Sequence, residues 1–181
     1  MAHPEDAVPR RRLVLLRHAK AEPGRGVVVD DRRPLALNGR KQAGRVGMAL
    51  TAAGLVPDLA LVSSALRTRQ TWDLASAHLD GASGIELQVR DELYEASVGD
   101  VLDLLREVPP AMGTVLVIGH EPTMAATASY LAAEGSDDAA LAQVRVGVPT
   151  ATYSVLETAA DRPWSDWGRA AARLVHVGRP S

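Results

Sequence analysis

A chain of 181 residues, 46% apolar but without phenylalanine, is long enough for one sizeable α/β core, which it has to build from Leu, Val, Ile and Ala. It has no cysteine, which excludes disulfides, thiolate catalysis and Cys-based zinc sites. The net charge of −2 is uneven, with 11 Lys+Arg against 5 Asp+Glu in the first 50 residues and 9 against 17 in the rest. A basic first third suits an anionic ligand, although most of these arginines are expected to solvate helix faces.

Residues 1–12 read as a basic N-terminal tail, expected to be disordered, ahead of a single domain over 13–178. Arg10-Arg11-Arg12 carries too few charges to argue for nucleic acid. The tail lacks the apolar segment of a signal peptide, and no apolar run approaches the roughly 20 residues of a membrane span. A cytoplasmic protein without a membrane partner is the simplest expectation. Leu13-Val14-Leu15-Leu16 follows, too short for a buried helix and apolar throughout, as in a strand covered on both faces. The chain leaves this strand at Arg17-His18, and in open α/β sheets that carboxyl edge is where ligands bind. An arginine beside a histidine there suggests chemistry on an anion, with guanidinium as clamp and imidazole as the reactive group.

Residues 21–35 read as a loop. Asn38 can cap a helix over 39–53, with Ala43, Val46, Gly47 and Leu50 at helical spacing and Gly54 as its stop. A strand at 59–62 leads to Ser63 or Ser64, either of which can cap a second helix bearing Leu66, Ala75 and Leu79 inward and Trp72 alongside. Arg67 falls in its first turn, where free N–H groups and the helix dipole already favour an anion. Ile85, Leu87 and Val89 alternate as a short strand. Ser97 opens a third helix with Val98, Val101, Leu102, Leu105 and Val108 on one face, ended by Pro109-Pro110. Val115 to Ile118 is a third apolar strand, leaving at Gly119-His120-Glu121-Pro122. Pro122 suits a first helical turn, with the helix running to about Ala133. Residues 134–148 read as a loop, Thr150 to Leu156 as a strand, and Arg173 to Val177 as the last one. Three strand exits carrying His18, Arg67 and His120 are hard to explain by packing.

These segments together resemble the histidine phosphatase superfamily, and within it the short SixA-like phosphohistidine phosphatases. The resemblance rests on Leu16-Arg17-His18-Ala19, on Ser63 to Thr71 with Arg67 inside it, and on Gly119-His120-Glu121-Pro122. Arg33-Pro34-Leu35 with Gly39 downstream, Leu93 to Ser97, and Pro149-Thr150-Ala151 add to it. It implies a three-layer α/β/α sandwich with a largely parallel central sheet. It also implies a metal-independent phosphatase that works through a phosphohistidine enzyme, with no cofactor and no metal. His18 would be the nucleophile, with His120 across the phosphate. Arg17 and Arg67 would bind the phosphoryl oxygens through paired donors that lysine could not supply. No HxxxH or His-Asp cluster suggests metal, and His3, His78 and His176 have no motif.

Two positions stay open. Arg33 either reaches the substrate phosphate or forms a loop ion pair with Asp30 or Asp31. The leaving-group acid falls between Glu92 and Glu95, with Glu92 favoured and a plain surface carboxylate as the alternative. Glu121 departs from the short relatives, which commonly carry Asn there. A negative charge beside the pocket would weaken anion binding unless it faces away. Only about 50 residues separate Arg67 from His120, which argues against the mutase branch with its long insertion and implies an open, shallow site. The expected partner is a phosphorylated protein bearing phosphohistidine. A small phosphate ester is the first alternative and a non-catalytic phosphate-binding module the second.

Overall fold

The computed structural model describes residues 10–26 and 28–181. Six strands form one sheet: β1 (Arg10–Arg17), β2 (Leu59–Ser63), β3 (Glu86–Arg90), β4 (Thr114–Gly119), β5 (Tyr153–Ala159) and β6 (Arg173–Gly178). Their order across the sheet is β3-β2-β4-β1-β5-β6. The β1–β4, β2–β4 and β2–β3 pairs are parallel, and only β5 runs against its neighbours. The central strands are apolar on both sides because both sides are covered. Leu13 and Leu15 join a core with Val101, Leu105, Ala128 and Val144, whereas Val14 and Leu16 join one with Val46, Leu50 and Trp72. Helices α1 (Leu37–Ala52) and α2 (Leu66–Ser76) therefore cover one face, and α3 (Val98–Arg106), α4 (Thr123–Leu131) and α5 (Asp138–Val146) the other. No helix among the described residues is long and apolar enough to cross a membrane.

The expected tail needs correction. Its residues 1–9 lie outside the described residues, but Arg10, Arg11 and Arg12 are the first three residues of β1. Arg11 is buried, and its guanidinium donates to the carbonyls of Arg162, Pro110, Met112 and Ala160 while lying 5.3 Å over the Trp164 ring. Four carbonyl acceptors satisfy this cation, so it closes the sheet's far end instead of extending into solvent.

Three helix starts also differ. α1 begins after Ala36 without a side-chain cap, so Asn38 lies inside it. α2 begins after Ala65, again with no side-chain cap, and Ser63 is committed elsewhere. The expected loop 134–148 contains α5, started by Asp137, whose carboxylate accepts from Ala140 N–H at 2.8 Å. In contrast, the Ser97 cap of α3 is present as a reciprocal box with Asp100. Gly39 has a packing reason: a Cβ there would lie 1.9 Å from the Lys20 carbonyl oxygen. That close approach seats α1 against the segment just after His18.

Candidate active site

β1, β2 and β4 end side by side, and the residues that leave them meet. His18 continues the β1–β4 ladder by one bond, its N–H donating to Gly119 C=O at 3.1 Å. Ala151 N–H reaches back to the carbonyls of Arg17 and His18 at 3.2 and 3.1 Å, which gives the Pro149-Thr150-Ala151 segment its place. Beyond His18 the backbone is held by helix side chains. Ala19 N–H donates to Thr71 Oγ1 at 3.0 Å, and Lys20 N–H to Gln42 Oε1 at 3.0 Å. With both sides pinned, the imidazole has little freedom.

The His18 ring is buried, 8% exposed, and its Nδ1 lies 2.7 Å from Ala19 C=O. A carbonyl can only accept, so Nδ1 carries the proton and Nε2 is left with its lone pair. The His120 ring centroid is 5.3 Å from that of His18. His120 Nε2 is 2.7 Å from Ser63 Oγ at the end of β2, and Tyr94 packs edge-on at 5.6 Å. Burial, then the Arg67 and Arg17 charges, lower the His18 pKa to about 4. Burial, then His18 and Arg67, lower that of His120 to about 3. Both rings are neutral near pH 7.

Arg17 and Arg67 come to this pair from opposite elements. Arg67, buried in the first turn of α2, donates Nη1 to the Asp30 carbonyl at 2.8 Å and Nη2 to Asp30 Oδ2 at 3.2 Å. Arg17 Nη1 donates to Val148 C=O at 2.8 Å. Arg17 Nε, Arg67 Nε and His120 Nδ1 are each buried without a partner. Buried polar atoms are ordinarily hydrogen-bonded. Two guanidinium groups near the histidine pair, each with an Nε that no protein group engages, suit an oxyanion.

The remaining expected residues divide. Arg33 donates Nε to Asp30 Oδ1 at 2.9 Å, the loop ion pair that was one of its two readings, yet it lies near enough to contribute to lowering the His18 pKa. Glu92 is exposed, and both its oxygens accept from Arg90, which holds its pKa below the usual carboxylate range. Its hydrogen bonds and ion pair are with Arg90. Glu95 is exposed, at φ 57° on the turn into α3. Glu121 faces away from the pocket, accepting from Ala125 N–H and Val148 N–H.

Sequence reasoning missed Ser63 as the partner of His120, having read it as a helix cap. It also missed the depth of Asp30's involvement. Tyr94 OH donates to Asp30 Oδ2 at 2.5 Å, and this bond, with those from Arg33 and Arg67, lowers the Asp30 pKa to about 2. Asp91-Glu92-Leu93-Tyr94 gave no hint that the tyrosine, rather than a glutamate, touches the pocket. Among the described residues no group of three or more His, Cys, Asp or Glu could hold a metal ion.

Comparison with known proteins bears on the fold and the family. The sequence model of the histidine phosphatase superfamily (branch 1) matches residues 13–109. An uncharacterised protein of Mycobacterium tuberculosis is 38% identical over 169 residues, 91% of this chain and 100% of its own. A structure from Nakamurella multipartitia, provisionally assigned as the phosphohistidine phosphatase SixA, superposes with a TM-score of 0.80 at 35% identity, covering 94% of this chain and 96% of its own. One from Agrobacterium tumefaciens with the same provisional assignment gives 0.77 at 29%, covering 94% and 98%. With the sequence match running from β1 through α3 and the structural likeness extending across the sheet, the chain belongs to the histidine phosphatase superfamily, branch 1, as a SixA-like phosphatase.

Proposed function

We propose that the chain is a metal-independent phosphatase that passes the phosphoryl group through His18 and acts on phosphohistidine displayed by a protein. The observation that carries this reading is the meeting of two guanidinium groups, Arg17 and Arg67, with the His18–His120 ring pair, 5.3 Å between centroids, in which His18 Nε2 is unprotonated. A phosphoryl group has three peripheral oxygens to be held and one phosphorus to be attacked in line with the leaving group. The two arginines and His120 hold the oxygens. His18 Nε2 donates its lone pair to phosphorus as the bond to the leaving group breaks, and the bonding electrons depart with that group. Water then attacks the phosphorus of the His18 adduct, releasing phosphate and restoring Nε2.

The protein substrate is supported by the absence of a covering lobe. Residues 77–113, between α2 and β4, hold only β3, α3 and short turns, so a phosphorylated side chain on another protein can enter. The relatives provisionally assigned as SixA favour phosphohistidine as its chemistry. The test is to mix the protein with a phosphohistidine protein or 4-nitrophenyl phosphate, quench, and look for an acid-labile, base-stable phosphate on His18. His18→Ala should remain folded and lose turnover, and chelators should leave the wild type active. Turnover by His18→Ala, or inactivation by chelation, would overturn the reading.

A further inference from the structure

Glu121 sits between His120 and Pro122, and its side chain joins α4 to the segment that follows α5. Oε1 accepts from Ala125 N–H at 2.9 Å, in the first turn of α4. Oε2 accepts from Val148 N–H at 3.2 Å. The carbonyl of that same Val148 receives Arg17 Nη1 at 2.8 Å. Val148 has little room to adjust. Its side chain is buried in the core of the α3–α5 face, and Pro149 after it restricts its backbone to extended conformations. With Val148 so constrained, the direction of its N–H fixes the direction of its C=O. The carboxylate that holds one thereby aims the other.

We propose that Glu121 is a positioning residue for Arg17, acting through the Val148 backbone to turn the guanidinium so that Nε faces the phosphoryl group. The inference rests on the reading of Arg17 as a phosphate ligand. It gives this glutamate a purpose opposite to the one its charge suggests. A bare carboxylate near a dianion would weaken binding, whereas one that orients the clamp strengthens it. Its negative charge also opposes the lowering of the Arg17 pKa by burial.

The experiment is a double-mutant cycle on wild type, Glu121→Gln, Arg17→Lys and the double variant. It measures inhibition by inorganic phosphate, and kcat and KM on 4-nitrophenyl phosphate. Glutamine has one acceptor oxygen in place of two, so it can keep the α4 bond and lose the Val148 bond. Glu121→Gln should weaken phosphate about three- to tenfold and raise KM in step, and in the Arg17→Lys background this loss should vanish. Glu121→Asp, too short to span both amides, should behave alike and serves if Glu121→Gln folds poorly. A purely structural glutamate would lower the melting temperature while leaving phosphate inhibition unmoved, which would overturn the inference. So would tighter phosphate binding, or an equal loss with and without Arg17. If Arg17→Lys itself left phosphate inhibition and KM unchanged, the fault would lie in the reading of Arg17 as a ligand.

Discussion

Asp30 stands against Arg67, the arginine proposed to bind the phosphate. Its carboxylate accepts from Arg67, Arg33 and Tyr94, and these bonds, that of Tyr94 foremost, keep it ionised down to about pH 2. Asp30→Asn removes the charge and little else. The main-chain carbonyl that receives Arg67 Nη1 is untouched, and the amide oxygen can still accept from Tyr94 or Arg67. The Asp30 side chain is 53% exposed, so water sets the dielectric. A dianion roughly 6 Å from this carboxylate is repelled by about 1.4 kcal/mol in water, a factor of about ten in affinity. The assay is competitive inhibition of 4-nitrophenyl phosphate hydrolysis by inorganic phosphate at pH 7. Asp30→Asn should bind phosphate about tenfold tighter at low salt, and the difference should shrink in 1 M salt, where screening acts within about 3 Å. Unchanged or weaker binding would refute the reasoning. The carboxylate would then be holding Arg67 in its binding pose, not competing for it.

Arg67→Lys should lose about 10- to 100-fold in kcat/KM, close to the loss in Arg67→Ala, because a compact ammonium cannot reproduce the planar fork that reaches Asp30 through two separate nitrogens; near-wild-type activity would contradict this. Acid should destabilise the protein before its carboxylates titrate. His18 and His120 have folded pKa values of about 4 and about 3 against about 6.5 unfolded, so the unfolded chain binds more protons between these limits. Stability is therefore full above about pH 6.5 and falls as pH drops towards 4, by at most about 3 kcal/mol for His18 alone; urea midpoints equal at pH 7 and pH 5 would refute it. Glu92→Gln should change kcat/KM by the same small factor on alkyl phosphate, aryl phosphate and phosphohistidine, since Arg90 already holds this carboxylate ionised; a loss confined to the alkyl ester would instead make it the leaving-group acid.

The parts of the fold legible in the sequence are those whose cause is local. Leu13 to Leu16 and Val115 to Ile118 are almost fully buried from both faces, so an unbroken apolar run betrays them. Their exits are marked by an abrupt change to Arg17-His18 and Gly119-His120. α5 escapes because only Ala140 and Val144 of its residues are buried, too few to set a period. Arg11 escapes because what buries it is four carbonyls about 100 to 150 residues away. The same is true around the pocket. Ser63 meets His120 across 57 residues, Tyr94 meets Asp30 across 64, and Glu121 meets Val148 across 27. A hydrogen bond made at such a distance leaves no pattern in the residues beside it. Ser63 before a helix looks the same whether it caps that helix or holds a histidine.

The burial that would prepare His18 as the proposed nucleophile also bears on what can leave. His18 needs an unprotonated Nε2, and burial beside two arginines supplies it by lowering the pKa of both rings. The same surroundings leave the ionisable groups that touch the histidine pair poor acids at neutral pH. His18 and His120 are uncharged, Asp30 is ionised, and the Tyr94 hydroxyl is engaged with Asp30 and has its pKa raised. Glu92 is tied to Arg90 and ionised as well. An alkoxide leaving group asks for a proton that none of these readily gives, and a positioned acid is typically worth about 10²–10⁴ in rate. The imidazole of phosphohistidine asks for nothing from the enzyme, because its second nitrogen takes a proton from water before the bond breaks. A nitrophenolate leaves as the stable anion. On the proposed reading, a pocket whose charge and burial let one histidine attack is thereby suited to releasing another.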